Sequence, residues 1–465
     1  MKWTNTDVVD NVYPSFTEAD PKDNFYAYVL SDAYRQISEE ESAEKAVKTY
    51  NSETASYKGT LRIYNNLTNM FNHPGGLTGD DAGIFKSYVR YLVDKDLSDE
   101  FALVREYIAE IEEIDTREEL ETFVTTGGKG YFRDSLTTKT VLNSPETGNT
   151  AVYIMPGTLP WFSGTDDASE KDADEKLEAY RQVLDLYFEN DPEKAATYYA
   201  DLETASDRLE SGHDSNTAQY TYAELSASCT TYPLGSDASA YRDTGCDSFF
   251  VSDTGYIRTL DDICDDGGYR YSRAIAVYSV LMDSAYRLGK EYREAVSGQT
   301  AANITILYDS NNSTYGMFTG KYYTQKHGED IRTLLTDSAE QVIAGAKDYF
   351  DSAAWLSDDT KDRVRTKLDN IIVRACGPSG DQWDQYDYSS ALTATSLVGL
   401  SAEMRKINEE IHVLQSLQDR GDYWPSIILP QVYNAMYMPS DNSINLLTGY
   451  FQPKLNVTIS TEELY

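Results

Sequence analysis

Histidine is the scarcest chemistry-bearing residue in this chain: His73, His213, His327 and His412 are all there are among 465 residues. A zinc site built on a helix needs two imidazoles at i and i+4, so that two nitrogens converge on one ion. No two of these four lie that close, so the sequence offers no helix-borne zinc site. Other reactive patterns also fall short. Gly316-Met317-Phe318-Thr319-Gly320-Lys321 has three residues between its glycines where a phosphate-binding loop has four, and Tyr322 stands where Ser or Thr would hold magnesium. Ser42-Ala43-Glu44-Lys45 reads as the solvated face of an acidic helix, without the companion motifs of a serine acyl-enzyme. Gly377-Pro378-Ser379-Gly380 lacks the spacing of a nucleophile elbow. With 77 acidic residues, no carboxylate pair is singled out for glycoside hydrolysis. His412, between Ile411 and Val413, reads as a packing or surface residue. No residue is assigned as catalytic and none as a metal ligand.

Cys229, Cys246, Cys264 and Cys376 form no Cys-x-x-Cys pair, which excludes a zinc ribbon or thioredoxin-like motif. The three between 229 and 264 leave two readings open, one disulfide within the cluster or buried free thiols. Lys plus Arg number 40 against 77 Asp plus Glu, a net charge of −37 that repels phosphate backbones and anionic lipid. No nucleic-acid partner is expected, and the excess of acid suggests basic peptides as ligands. No apolar run approaches the roughly 20 residues of a membrane span. The length favours about two or three domains.

The elements that would position any site are mostly helical. Apolar residues from Ile84 to Ile111 recur at three- and four-residue spacings, which predicts one or two helices over 82–113. Asp115 with Glu118 caps the next, and Asp191-Pro192-Glu193 supplies an N-cap, a first-position Pro and an early acid for a helix through Leu202 and Leu209. Further helices are expected at about 171–188, 270–296, 329–351, 357–373 and 401–418. The stretch 226–268, rich in Gly, Ser, Asp and Tyr, reads as a long loop or small subdomain. From Tyr423 the pattern turns strand-like, with Ile427–Leu429, Val432–Tyr437, a turn at 439–442 and Ile444–Leu447.

Several segments, in order, resemble the neprilysin-like (M13) family of zinc metallopeptidases. Asp20-Pro21-Lys22-Asp23-Asn24-Phe25-Tyr26-Ala27-Tyr28-Val29 is similar to its Asp-Pro-Cys-x-Asp-Phe-Tyr-x-Tyr-Val signature, with Lys22 in place of the cysteine of animal members. Gly320–Tyr323 and Trp355-Leu356-Ser357-Asp358-Asp359-Thr360-Lys361 resemble its Tyr-Phe and Trp-Met-x-x-x-Thr-Lys segments. Val432-Tyr433-Asn434-Ala435-Met436-Tyr437 resembles Val-Asn-Ala-Tyr-Tyr with one residue shifted, and Gly449-Tyr450-Phe451-Gln452-Pro453 resembles Gly-Ile-Leu-Gln-Pro.

The resemblance implies a mainly α fold: a large helical cap domain plus part of a mixed α/β, thermolysin-like catalytic lobe. Residues 1–34 would form an extended arm on that lobe, 35–400 the helical substrate chamber, and 401–465 a helix and edge strands of the lobe. Asn434 and Ala435 are the implied substrate-binding residues, on an edge strand that pairs with an extended peptide; the alternative is a buried strand with Asn434 bonded to a neighbouring loop. Family members continue into Gly-Gly-Ile-Gly and His-Glu-x-x-His, where histidines bind zinc and the Glu activates water. This chain ends at Tyr465, before that stretch. It is therefore expected to hold no cofactor and to be inactive alone, with zinc belonging to the full-length enzyme. The implied partners are peptide substrates and the missing C-terminal segment or a second chain, in the extracellular space or cell envelope. A non-catalytic peptide-binding protein and one half of a split peptidase are the competing expectations.

Overall fold

Helical periodicity decides most of this chain, and caps and glycines decide where each helix stops. The computed structural model describes residues 79–451 except 93, 95, 127–135, 144–149, 158–166, 215, 244, 299, 301–304, 306–308, 310–313, 417, 419–422 and 440. The arm expected at 1–34 and the Gln452-Pro453 segment lie outside the described residues. The described residues fall in one unit, Asn66–Tyr465.

The pattern over 82–113 resolves into α1 (Gly79–Leu92) and α2 (Ser98–Glu112), burying Ile84, Phe85 and Tyr88 on one and Val104, Ile108 and Ile111 on the other. The cap of α3 (Arg117–Thr126) is one residue later than expected: Thr116 Oγ1 accepts from the Glu119 N–H at 3.2 Å, and Glu119 Oε2 accepts from the Asp115 N–H at 2.9 Å. A hairpin follows, β1 (Thr137–Asn143) and β2 (Thr150–Pro156), then α4 (Asp167–Tyr187) and α5 (Pro192–Gly212). Asp191 caps α5, accepting from the Lys194 N–H, with Pro192 at the first helical position as expected.

Of the two readings of 226–268, a long loop or a small subdomain, the loop is excluded, because the stretch is built of short helices and a strand. It holds the end of α6 (Tyr222–Ser228), then α7 (Leu234–Asp237), α8 (Ser239–Asp243), β4 (Phe249–Val251) and α9 (Thr254–Cys264), following β3 (Ala218–Tyr220). Just ahead of it Thr221 and Glu224 form a capping box, and its own polar residues make caps and turns: Asp253 caps α9, and Asp261 accepts from the N–H groups of Thr230, Thr231 and Tyr232. The sheet runs β1-β2-β4-β3, with β2 and β4 parallel. Of the two cysteine readings, the thiols are free and buried; burial pushes Cys229 up to about 11 and Cys264 up to about 12.

The helix expected over 270–296 is two, α10 (Arg270–Ala285) and α11 (Lys290–Ser297), because Gly289 at φ +110° turns the chain between them. The core gathers Val104, Leu202, Leu260, Val277 and Leu281 with Phe249 and Val152 of the sheet. Next come α12 (Gly316–His327), α13 (Glu329–Ser352) and α14 (Asp358–Asp369). The helix expected to reach 373 ends at Asp369, and the β-branched run beyond it forms β5 (Ile372–Cys376). Two 3₁₀ turns lead to α15 (Leu397–Gln415), then β6 (Ala435–Met438), β7 (Ser443–Leu447) and α16 (Thr448–Phe451). Ile427–Leu429 is no strand: Pro425 and Pro430 bracket it, and the Ile428 N–H turns back to Pro425 O. The second sheet is β5-β7-β6, β5 parallel and β6 antiparallel to β7, so strands from both sides of residue 400 share it. The fold is mainly α with two small sheets, and no helix among the described residues is long and apolar enough to cross a membrane.

Candidate functional site

Sheet order leaves β6 at an edge. Ala435 faces Leu446 and Tyr437 faces Ile444 across the β7 side, and among the described residues no strand pairs with the other side. Backbone N–H and C=O groups along such an edge are free to pair with an added extended chain. Asn434 and Ala435, the residues implied by the sequence, open the strand and are both exposed. Strand alternation then puts Ala435 and Tyr437 on one face, and Met436 and Met438, half-buried, on the other.

The chain entering β6 is held from behind. Gln431 is fully buried, its Nε2 donating to Gly316 O at 3.0 Å on α12. The Gly449 N–H of α16 donates to Pro430 O at 3.0 Å. A Cβ on Gly449 would lie 2.1 Å from Gln431 O and 2.5 Å from Val432 O, so only glycine permits this approach. Tyr433 packs against Tyr450 with ring centroids 4.8 Å apart. On the sheet's buried side Arg374 pairs with Asp441 at 2.5 Å, tying the β6–β7 turn to β5.

Two exposed residues, Lys367 and Tyr437, and half-buried Asn442 close a hydrogen-bonded ring at the β6–β7 turn. Lys367 Nζ donates to Tyr437 Oη at 2.7 Å, Tyr437 Oη donates to Asn442 Oδ1 at 2.9 Å, and Asn442 Nδ2 donates to Lys367 O at 2.9 Å. Asn442 sits at φ +51°, a left-handed position that Asn tolerates better than most residues. Sequence reasoning missed this group because Lys367 and Tyr437 are 70 residues apart and meet only once the sheet forms.

A cleft of about 740 Å³ lies between α15 and a wall from α2, α3 and β1. The buried Glu100 carboxylate fixes α15 by accepting from the Leu397 and Val398 N–H groups at 2.6 and 2.7 Å, at the positive end of the helix dipole. Burial pushes the Glu100 carboxyl up, and those two bonds oppose the shift. The helix lends Glu403, Lys406 and Glu410 to the cleft. Lys139 also lines it but is neutralised by Asp237 at 2.8 Å, and Arg405 by Asp283.

The described residues do not fit a zinc ion: no group of three or more His, Cys, Asp or Glu is placed to hold a metal. His213 faces Asp253, and His412 faces Ser426 across the cleft lining. Binding by strand addition and by the cleft is the chemistry these residues can perform.

Residues 21–378 match the model of peptidase family M13. Membrane metallo-endopeptidase-like 1 of Mus musculus is 22% identical over 215 residues, which is 43% of this chain and 28% of that protein. The zinc metalloprotease Zmp1 of Mycobacterium tuberculosis, in complex with an inhibitor, superimposes with a TM-score of 0.66 at 15% identity, covering 86% of this chain and 64% of Zmp1. PepO of Lactobacillus rhamnosis HN001 does so with a TM-score of 0.63 at 15% identity, covering 87% of this chain and 68% of PepO. At these identities the likeness is one of fold, and this chain spans less than two thirds of Zmp1 in that complex and of the mouse protein.

Proposed function

Because the chain belongs to peptidase family M13 and carries the N-terminal domain of a zinc metallopeptidase, we propose that it is the part of an endopeptidase that encloses peptides. The free edge of β6 would hold the substrate main chain, with Asn434 and Ala435 at its start. The observation that carries this reading is the exposed edge itself, held rigid from behind and unpaired among the described residues. Recognition through the main chain is indifferent to most side chains, which suits an enzyme that accepts many peptides. The cleft beside α15 would receive the rest of the peptide.

On this proposal the chain alone does not hydrolyse peptides. The zinc ligands come from a further polypeptide segment or a second chain, and the site of action is extracellular or in the cell envelope, an assignment resting on the family resemblance alone. A labelled extended peptide should bind the full chain, and N-methylation of alternate peptide amides should abolish binding by removing the edge bonds. Asn434→Ala should weaken binding about three- to tenfold, the worth of one hydrogen bond. Equal binding of the methylated peptides would refute strand addition. Stoichiometric zinc with turnover of a fluorogenic peptide would refute the claim of inactivity. The histidine spacing also favours a second reading, a non-catalytic peptide-binding protein. That reading predicts that peptide stays intact even after a polypeptide bearing His-Glu-x-x-His is supplied.

A further inference from the structure

Two side chains that meet in the cleft beside α15 have the chemistry of a nucleophile and its base. His412 Nε2 and Ser426 Oγ share a hydrogen bond although they are 14 residues apart, and both line the cleft of about 740 Å³. With the imidazole proton on Nδ1, Nε2 accepts from the serine hydroxyl, the contact that turns a weak alcohol into a nucleophile. Each partner is held in place. The Ile428 N–H donates to Pro425 O at 2.9 Å and closes a turn over residues 425–428, with Ser426 and Ile427 at its centre. His412 stands in the last turn of α15, whose other end the buried Glu100 fixes.

The surroundings favour the charge changes that acyl transfer requires. The negative end of the α15 dipole stabilises an imidazolium at His412. In the cleft lining, Lys139 and Arg405 are neutralised by Asp237 and Asp283, and the other charged side chains are Glu403, Glu409 and Glu410 against Lys406. That excess of carboxylate also favours the imidazolium. Beside the nucleophile, neither the Ser426 nor the Ile427 N–H donates to a backbone carbonyl among the described residues, so two amide donors are available to an oxyanion forming there. Leu103, Tyr107, Met155 and Ile427 give the cleft apolar walls for an acyl chain.

We propose that Ser426 and His412 form an acyl-transfer site that needs no metal ion and cleaves esters of short apolar carboxylic acids. Ser426 Oγ attacks the ester carbonyl carbon while its proton passes to His412 Nε2, and the carbonyl π pair moves onto oxygen. Collapse of that tetrahedral species expels the alcohol oxygen, which takes the proton from His412 and leaves the acyl group on Ser426. Water then adds to the acyl carbon, its proton passing to Nε2; the serine oxygen departs, regains a proton, and the acid is released. Esters are the class because an alkoxide or phenolate leaves more readily than the nitrogen of a peptide. The site stands whether or not the chain takes part in peptide cleavage.

The test uses the full chain, p-nitrophenyl butyrate and a chelator strong enough to strip zinc. The parent should release a burst of about one nitrophenolate per chain, the mark of an accumulating acyl-enzyme. Mass spectrometry should then find one butyryl group, on Ser426, and a fluorophosphonate probe should label the same residue. Ser426→Ala should abolish burst and label. His412→Gln, which keeps a hydrogen-bonding side chain beside Ser426, should slow both by about 10²–10⁴-fold. Ser338→Ala, on an exposed face of α13, should change neither. If the two side chains only pin the end of α15 to the segment entering β6, the parent shows neither burst nor label while Ser426→Ala lowers the melting temperature, and the proposal is overturned. A label that Ser426→Ala leaves in place overturns it equally. Should Ser426→Ala fail to fold, the residue labelled in the parent and the rate of His412→Gln decide.

Discussion

Helices α10 and α13 are both long and rich in apolar residues, but only one of them is inside the protein. Of the 16 residues of α10, 12 are buried, and Val277, Val280 and Leu281 are completely so. Of the 24 residues of α13, only Ala339 is buried, while α14, which packs against it, buries none. Ile331, Leu335, Ile343 and Phe350 are half-buried. On another face Leu334, Val342 and Tyr349 are 65%, 71% and 61% exposed, with Trp355 just beyond at 71%. Apolar side chains on two faces of one helix call for neighbours on both. The helical body supplies its own, whereas the α13–α14 hairpin, among the described residues, meets packing on one face only. This difference shows that periodicity reports which face wants burial and says nothing of whether the covering surface lies among the same residues.

The comparison is most directly broken at the charged centre of the body. Arg287 is buried with Asp283 at 3.2 Å and with Asp309, while Tyr88 donates to Asp309 at 2.7 Å and Arg405 reaches Asp283. Arg287→Met leaves buried carboxylates short of their counter-charge and should cost about 3–5 kcal/mol, read as the urea midpoint. Arg363→Met on the exposed surface of α14 should cost less than about 0.5 kcal/mol. Similar losses at the two sites would mean that the hairpin is as tightly integrated as the body.

The same cluster predicts a pH signature confined to the body. Burial pushes the Asp309 carboxyl up to about 6, against the attraction of Arg287. An unfolded Asp titrates near 3.9. Between about pH 4 and 6 the folded chain therefore holds a proton that the unfolded chain has released. The contribution of Asp309 is fully present below pH 4 and is lost as pH rises through 6. Asp309→Asn should flatten this part of the stability profile relative to the parent; parallel profiles would show that Asp309 titrates normally.

Much of this division was legible in the sequence. Asp191-Pro192 announced α5, and Leu202 and Leu209 are buried as its periodicity required. Other features depended on contacts the sequence does not display. Gly289 looked compatible with a continuous helix until its positive φ separated α10 from α11. β5 reads as the tail of a helix because what makes it a strand is pairing with β7, 71 residues away. The composition of the polar stretch 226–268 does not decide between a long loop and a small subdomain, because caps and turns share the composition of loops; Asp261 gathers three backbone N–H groups there. At the site, the family resemblance singled out Asn434 and Ala435, whereas the bond between Lys367 and Tyr437 joins residues 70 positions apart and exists only once the sheet has formed.

Helix caps give a smaller, sharper contrast. Asp191 caps α5 in the body and Ser357 caps α14 in the hairpin, each accepting a backbone N–H three residues on. Replacing either by Ala removes about 1 kcal/mol of local helix stability. In the body that loss should appear in global unfolding, because α5 packs into the core. In the hairpin it should appear as faster amide exchange within α14, with the global midpoint nearly unchanged. A global loss from Ser357→Ala would show that α14 unfolds only with the whole.

The smallest expected effect is the most specific to the exposed face of α13. Val342 is 71% exposed, so Val342→Ser removes little burial and, with Ser and Val of similar helix propensity, should change stability by less than about 0.5 kcal/mol. Its consequence should lie in solvent-facing behaviour. With Leu334, Tyr349 and Trp355, Val342 forms the largest group of exposed apolar side chains on the hairpin. Such a surface binds hydrophobic dyes and promotes association. Val342→Ser combined with Leu334→Ser should lower dye fluorescence and concentration-dependent light scattering while the urea midpoint stays put. A drop of 2 kcal/mol or more would mean that this face is packed in solution, and that α13 is covered as α10 is.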